Sequence, residues 1–174
     1  MVRNDVNVVW DLAVHDFSIL DYVLAASPIS ASAAGSASGD SSLEHAASLT
    51  LQFPECLTVR IHVDWLAERK VRRMTIQGEA GVLHYDDLEP LRKVTITSRA
   101  TSSAEPERAR VLELEAAEPL ARAVQHFVEC VTSGGRPISD GAAALRVVRL
   151  LEAADRSLHS MGRPVTLDRL EARQ

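Results

Sequence analysis

The feature that most constrains the fold is a two-residue period of hydrophobicity in the first half of the chain. Every second residue from 57 to 65 is apolar, and polar side chains fill the positions between them. Successive side chains of a strand point to opposite faces, so this pattern is typical of an antiparallel strand with one face on a core. Further strands are predicted over 49–53, 71–77, 81–85, 93–98 and 111–115.

Helices are predicted on both sides of these strands. The first begins at Asp11, a favourable N-cap residue, and two more begin at Pro119 and after Asp140. Strands followed by helices predict an α+β fold, with an open, mainly antiparallel sheet and helices packed on one face. We expect residues 1–174 to form one domain. Residues 27–42, which are small, polar and glycine-containing, are predicted to be a flexible loop.

Charge and composition exclude several classes of function. The formal net charge is -5, with 19 basic and 24 acidic residues, and no basic block indicates a nucleic-acid or membrane-surface partner. The sequence has no secretory h-region and no apolar run that would span a bilayer. Cys56 and Cys130 lie far apart and outside any ligand motif, so we expect reduced thiols, a cytoplasmic protein and no bound metal.

The glycines give no dinucleotide-binding motif. A Rossmann fold needs GxGxxG between a strand and a helix, so that the backbone can approach the pyrophosphate. None of the eight glycines has this spacing, and strands do not alternate with helices. We therefore expect no nucleotide cofactor to be bound by this chain alone.

Asp11 and His15 are the residues most suited to chemistry. Four positions separate them at the start of the first predicted helix, which puts both side chains on one face. A carboxylate can orient an imidazole, which can then exchange a proton with a hydroxyl group. In the alternative interpretation Asp11 only caps the helix and His15 is an ordinary surface or core histidine. The spacing alone does not decide between the two.

Three separated blocks of the sequence resemble the C-terminal domain of the Gfo/Idh/MocA oxidoreductases, a family that includes glucose–fructose oxidoreductase and inositol dehydrogenases. They cover residues 3–24, with the segment WDLAVHD, residues 63–87 and residues 118–167. The form WDLAVHD is most similar to members that oxidise nucleotide-linked or amino sugars. The resemblance implies an N-terminal Rossmann domain that binds NAD or NADP and carries a catalytic lysine, and this chain lacks that half.

The resemblance also implies roles for the pair described above. His15 would transfer a proton, and Asp11 would contact a substrate hydroxyl or orient His15. The chain would then be the substrate-binding and oligomerisation domain of an NAD(P)-dependent oxidoreductase acting on CH–OH groups of a sugar or nucleotide sugar. It would form a homo-oligomer through its sheet and be inactive without a Rossmann domain, which a partner would supply in trans. The alternative is a non-catalytic sugar-binding or protein-interaction module that retains the fold.

Overall fold

The computed structural model describes residues 4–24, 26–37, 39, 42–99, 108–115 and 117–168. Contacts divide the chain into two compact units. The first unit combines Met1–Ala67 with His126–Gln174, and the second is Glu68–Gln125. That residues 1–174 act as one domain stays a prediction.

The first unit contains a four-stranded sheet and two packed helices. A π-helical turn, Val9–Ala13, continues directly into helix α1, Val14–Val23. The strands are β1 (Ser30–Ser36), β2 (Ala46–Gln52) and β3 (Thr58–Asp64), with a short 3₁₀ turn at Pro54–Cys56 between β2 and β3.

The second unit is a meander of four strands. They are β4 (Arg73–Gly78), β5 (Gly81–Asp86), β6 (Val94–Ser98) and β7 (Arg108–Leu112). Helix α2, Pro119–Ser133, leads back to the first unit, which ends with helix α3, Gly141–His159, and strand β8, Val165–Thr166.

All strand pairs are antiparallel in the described chain, and the strand orders are β3-β2-β1-β8 and β4-β5-β6-β7. The predicted α+β class and antiparallel pairing are confirmed. The strands form two sheets rather than the single sheet that the sequence suggested.

The core lies between the first sheet and helices α1 and α3. Leu49 and Leu51 of β2 point inward and are fully buried, and Val63 of β3 joins them. Phe17 of α1 and Leu151 of α3 pack against this face in the same apolar cluster. The two-residue period of the sequence therefore marks the inner face of the sheet, as predicted.

The predicted flexible loop at 27–42 is wrong over Ser30–Ser36, because β1 occupies this segment at an inner position of the sheet. Ala31 and Ala33 are buried, and the Ala33 N–H donates a 2.9 Å hydrogen bond to Oγ of the buried Ser157. At Gly35 an added Cβ would lie 3.0 Å from Leu158 Cδ2. Small side chains serve here to let α3 approach the sheet closely, although their composition is typical of a spacer. Residues 38, 40 and 41 lie outside the described residues.

Helix α3 is capped as predicted and packs against the core along one face. Asp140 Oδ1 accepts a 2.8 Å hydrogen bond from the Ala143 N–H, which confirms the expected N-cap. Val147, Leu150 and Leu151 face the core, whereas Leu145 and Val148 are exposed.

In the second unit, no described residue reaches the burial of a core position. One face of its sheet is apolar, and its members remain partly accessible: Met74, Ile76, Leu83, Tyr85, Val94 and Ile96. Ion pairs stabilise this sheet locally where β4 begins and β5 ends. Arg73 donates a 2.6 Å hydrogen bond to Asp86, and Lys93 lies 3.1 Å from Asp87. These hydrogen bonds hold the pKa of both carboxyl groups below the ordinary value.

Across the described residues no helix is both long and apolar enough to cross a bilayer.

Candidate functional site

The site begins with a capped π-helical turn. Oδ1 of Asn7 accepts hydrogen bonds from the N–H groups of Val9, at 3.1 Å, and Trp10, at 3.3 Å. Nδ2 of Asn7 donates a 2.9 Å hydrogen bond to Oδ1 of Asp155 on α3. The turn is thus fixed both to its own backbone and to a helix far away in sequence. π-Helical turns inside α-helices occur frequently at functional sites.

Asp11 lies in the middle of this turn. Its Oδ2 accepts a 2.8 Å hydrogen bond from the indole Nε1 of Trp65, the residue that follows β3. Hydrogen bonds to an ionised acceptor are stronger than neutral ones, so the indole holds the carboxylate in one orientation. The prediction that the helix starts at Asp11 is wrong. Asn7 performs the capping, because the helical backbone already includes Val8 and Val9.

Trp65 is itself held by a buried histidine. The Trp65 N–H donates a 2.9 Å hydrogen bond to the His45 carbonyl oxygen, and the two rings lie 5.9 Å apart at 45°. His45 is 8% exposed. Its Nδ1 is buried and has no hydrogen-bond partner among the described residues. The chain Asp11–Trp65–His45 therefore connects the π-helical turn to the start of β2.

His15 lies in the first turn of α1, one turn beyond Asp11, and its side chain is exposed. The exposed imidazole is accessible to a ligand from solvent. The structure thus places the two predicted residues on consecutive turns of one continuous helical segment.

Sequence reasoning missed three residues that shape this site. Asn7 carried a usable signal, because asparagine is a favoured N-cap residue and it precedes the helix. Trp65 and His45 carried none, since the Trp65–Asp11 contact joins residues 54 positions apart. Among the described residues no three His, Cys, Asp or Glu side chains gather in a group that would hold a metal ion.

One known family model matches part of the chain. The family model of the GFO/IDH/MocA C-terminal domain matches residues 3–84, which contain the whole Asp11–Trp65–His45 chain and His15. This segment of the chain is therefore similar to that domain. No curated protein matches the sequence.

Solved structures of oxidoreductases share the fold of this chain. UDP-N-acetylglucosamine 3-dehydrogenase from Acidithiobacillus ferrooxidans superposes with a TM-score of 0.79 at 19% identity, over 90% of this chain and 50% of that one. An aldose-aldose oxidoreductase from Caulobacter crescentus, complexed with glycerol, gives 0.76 at 19% identity over 93% and 48%. An oxidoreductase from Agrobacterium radiobacter, in complex with NAD+, L-tartaric acid and magnesium, gives 0.69 at 19% identity over 91% and 48%.

The chain spans about half the length of these structures. At identities below 25%, the likeness establishes the fold.

Proposed function

We propose that this chain is the substrate-side half of an NAD(P)-dependent oxidoreductase that acts on a sugar or nucleotide sugar. The observation that carries the proposal is the placement of Asp11 and His15 on one helical segment, with the Asp11 carboxylate fixed by Trp65. Two structural neighbours, a UDP-N-acetylglucosamine 3-dehydrogenase and an aldose-aldose oxidoreductase, support the substrate class.

The roles of the two residues follow from their surroundings. His15 is exposed and holds a basic nitrogen where a bound ligand can reach it, so it takes or returns the proton of the reacting hydroxyl. Asp11 is oriented by the indole, and we assign it the role of accepting a hydrogen bond from a substrate hydroxyl. Trp65 is a positioning residue, because it acts on substrate only through Asp11.

The cofactor does not fit this chain. A dinucleotide site needs a glycine-rich turn between a parallel strand and a helix, and the strand pairs of the described chain are all antiparallel. We propose that a separate Rossmann domain binds NAD or NADP and that this chain is inactive without it. Titration of the isolated chain with NADH, followed by nicotinamide fluorescence, is expected to show no saturable binding. Saturable binding at micromolar concentration would contradict the proposal that a separate domain binds the cofactor.

Substrate binding can be tested on the chain itself. We expect UDP-N-acetylglucosamine to shift the imidazole NMR signals of His15 saturably, while those of His84 on β5 in the second unit stay in place. Asp11→Ala should weaken this response, because Asp11 is assigned the hydrogen bond to the substrate hydroxyl. A titration that moves no signal near Asp11 or His15 would contradict the proposed substrate class.

We also propose a homo-oligomer built on the outer face of the first sheet. Its small polar side chains form cross-strand rows, with Ser32 opposite Thr50 and Thr50 opposite Arg60. Such a flat face can pair with a copy of itself across a two-fold axis. Arg60→Asp should lower the dimer fraction measured by light scattering at several concentrations, and a monomeric wild type at high micromolar concentration would refute the proposal.

A non-catalytic interaction module is the second candidate. Exposed apolar side chains on α2 favour it, because Leu120, Phe127 and Val131 are each about two-thirds exposed. Contiguous exposed apolar surface often marks a site of protein interaction. Genomic context distinguishes the two candidates, since a reading frame for a Rossmann domain next to this gene favours the enzyme. Cys56 and Cys130 form no disulfide bond with each other, and we propose a cytoplasmic location for either candidate.

A further inference from the structure

A cavity of about 340 Å³ lies at the far end of α1 from His15. Its apolar floor consists of Leu20, Phe53 and Leu150, all of which are buried. A volume of this size is at the lower end of the range in which small-molecule sites occur. Neither Asp11 nor His15 is among its described lining residues, so the cavity is separate from the candidate active site.

One wall of the cavity is a fixed ion pair. Arg146 of α3 binds Asp21 of α1 through two hydrogen bonds, Nε to Oδ1 at 2.6 Å and an Nη to Oδ2 at 2.9 Å. Both side chains are about 15% exposed. The hydrogen bonds from this pair raise the pKa of the Arg146 guanidinium above its ordinary value. This guanidinium is largely buried and its charge is paired with Asp21, so it has a structural role and offers little positive charge to a ligand.

Two further arginines at the cavity have their charge available. Arg149 and Arg156 both line it from α3, seven positions apart, which is about two helical turns. Both are exposed, and within the described chain no carboxylate forms an ion pair with either. Their five-donor guanidinium groups match the geometry of carboxylate and phosphate oxygens.

The acidic side chains at the cavity limit the ligand. Glu152 lies between the two arginines along α3, and Asp168 follows β8. They offset the two arginines in formal charge, so a bare anion gains little from the overall field. Binding therefore depends on the apolar floor as well as on the guanidinium groups.

We infer that this cavity binds a small organic anion, with its carboxylate or phosphate group on Arg149 and Arg156 and its apolar body on Leu20, Phe53 and Leu150. The site is distinct from the Asp11–His15 site and does not depend on the presence of a Rossmann domain. Carboxylates and phosphate esters share the required chemistry, an anionic group on an apolar body.

Titration of the full chain with three probes tests the inference. Phenyl phosphate and benzoate each combine an anionic group with a ring, and inorganic phosphate has no apolar part. We expect NMR amide shifts at Leu20 and Leu150 to saturate with at least one of the two aromatic probes. The stronger of the two identifies the phosphate or the carboxylate class. Inorganic phosphate is expected to bind at least tenfold more weakly, because it leaves the apolar floor uncovered.

Charge-removing variants give the matched control. Arg149→Gln and Arg156→Gln should each weaken binding by about tenfold, since a charge-assisted hydrogen bond is lost. Arg163→Gln, which changes an exposed arginine outside the cavity lining, should leave it unchanged. Equal binding of inorganic phosphate and phenyl phosphate, an equal effect of all three variants, or no saturable shift with either aromatic probe would overturn the inference.

Discussion

The indole Nε1 of Trp65 lies 2.8 Å from Oδ2 of Asp11 and donates a hydrogen bond to it across 54 positions of sequence. This contact connects the end of β3 to the π-helical turn. It gives the predicted site a rigidity that neither residue has by itself, because a carboxylate on a helix surface otherwise samples several rotamers.

Replacing Trp65 by phenylalanine should therefore cost both stability and site geometry. We expect the free energy of unfolding to fall by about 1–3 kcal/mol, since the variant loses a hydrogen bond to a charged acceptor that is partly buried. Urea unfolding measures the change. Trp10→Phe is the matched control, because Trp10 also packs against the core but donates no indole hydrogen bond within the described chain. Equal losses in the two variants would show that ring packing, and not the hydrogen bond, matters at Trp65.

Gly35 tests whether Ser30–Ser36 is a packed strand or the flexible loop that composition suggests. A Cβ at Gly35 would lie 2.6 Å from Glu44 Cγ and 3.0 Å from Leu158 Cδ2. Gly35→Ala should therefore destabilise the fold by about 1–2 kcal/mol through overpacking. In a flexible loop the same change would be neutral or slightly stabilising.

Gly141 provides the control for that experiment. It lies at the start of α3, and nothing stands within 4 Å of an added Cβ. Gly141→Ala should be neutral or raise stability by up to about 1 kcal/mol, because alanine favours the helix. Differential scanning calorimetry of both variants gives the comparison. A Gly35→Ala protein as stable as wild type would contradict the packing of β1 against α3.

Sequence reasoning succeeded where side-chain volume and hydrophobicity signal the structure together. The alternation around Val63 predicted β3 correctly, because large apolar residues mark the buried face. The same alternation exists in β1 as Ser30, Ala31, Ser32 and Ala33, but its inward residues are too small to register as hydrophobic. Small residues are necessary in β1 because α3 packs closely against it. Composition alone does not reveal this tertiary packing.

The candidate site also combines residues that local sequence predicts with residues that only tertiary packing brings together. Asp11 and His15 were found because both lie on one local segment, where helical spacing predicts their relation. Trp65 was recognised only as the last apolar position of the 57–65 alternation, since only the packing of β3 beside the π-helical turn brings its nitrogen to Asp11.

His159 near the end of α3 should titrate above an ordinary histidine. Its Nδ1 lies 2.8 Å from the Asp155 carbonyl oxygen, and this hydrogen bond, together with the Asp155 carboxylate, raises the pKa of His159 above 6.5. The protonated form is favoured in the folded state. The contribution to stability is therefore complete below about pH 6.5 and is lost as the pH rises through the raised pKa.

NMR titration of the imidazole signals measures this pKa directly. Asp155→Asn should lower the pKa of His159 but leave it above the ordinary value, because the backbone carbonyl remains. Glu152→Gln changes a carboxylate on the same helix that is no cause of the shift, and it should have no effect. A His159 that titrates at or below 6.5 in the wild type would disprove the hydrogen bond in solution.

His15→Ala is expected to separate chemistry from folding. The side chain is exposed, so its removal should change the free energy of unfolding by less than about 0.5 kcal/mol. In an enzyme reconstituted with its Rossmann domain, turnover should fall by about 10²–10⁴-fold, the usual value of general acid–base help. His84→Ala removes another exposed imidazole, on β5, and should leave turnover intact.

The pH profile distinguishes proton transfer from simple substrate contact at His15. Loss of a general base removes the limb of the kcat/KM profile that reports its titration, whereas loss of a contact raises KM and preserves the profile. Trp65→Phe should lower kcat/KM and keep that limb, because it disturbs Asp11 and leaves the imidazole in place. A His15→Ala enzyme with wild-type turnover and an unchanged profile would return His15 to the role of an ordinary surface histidine.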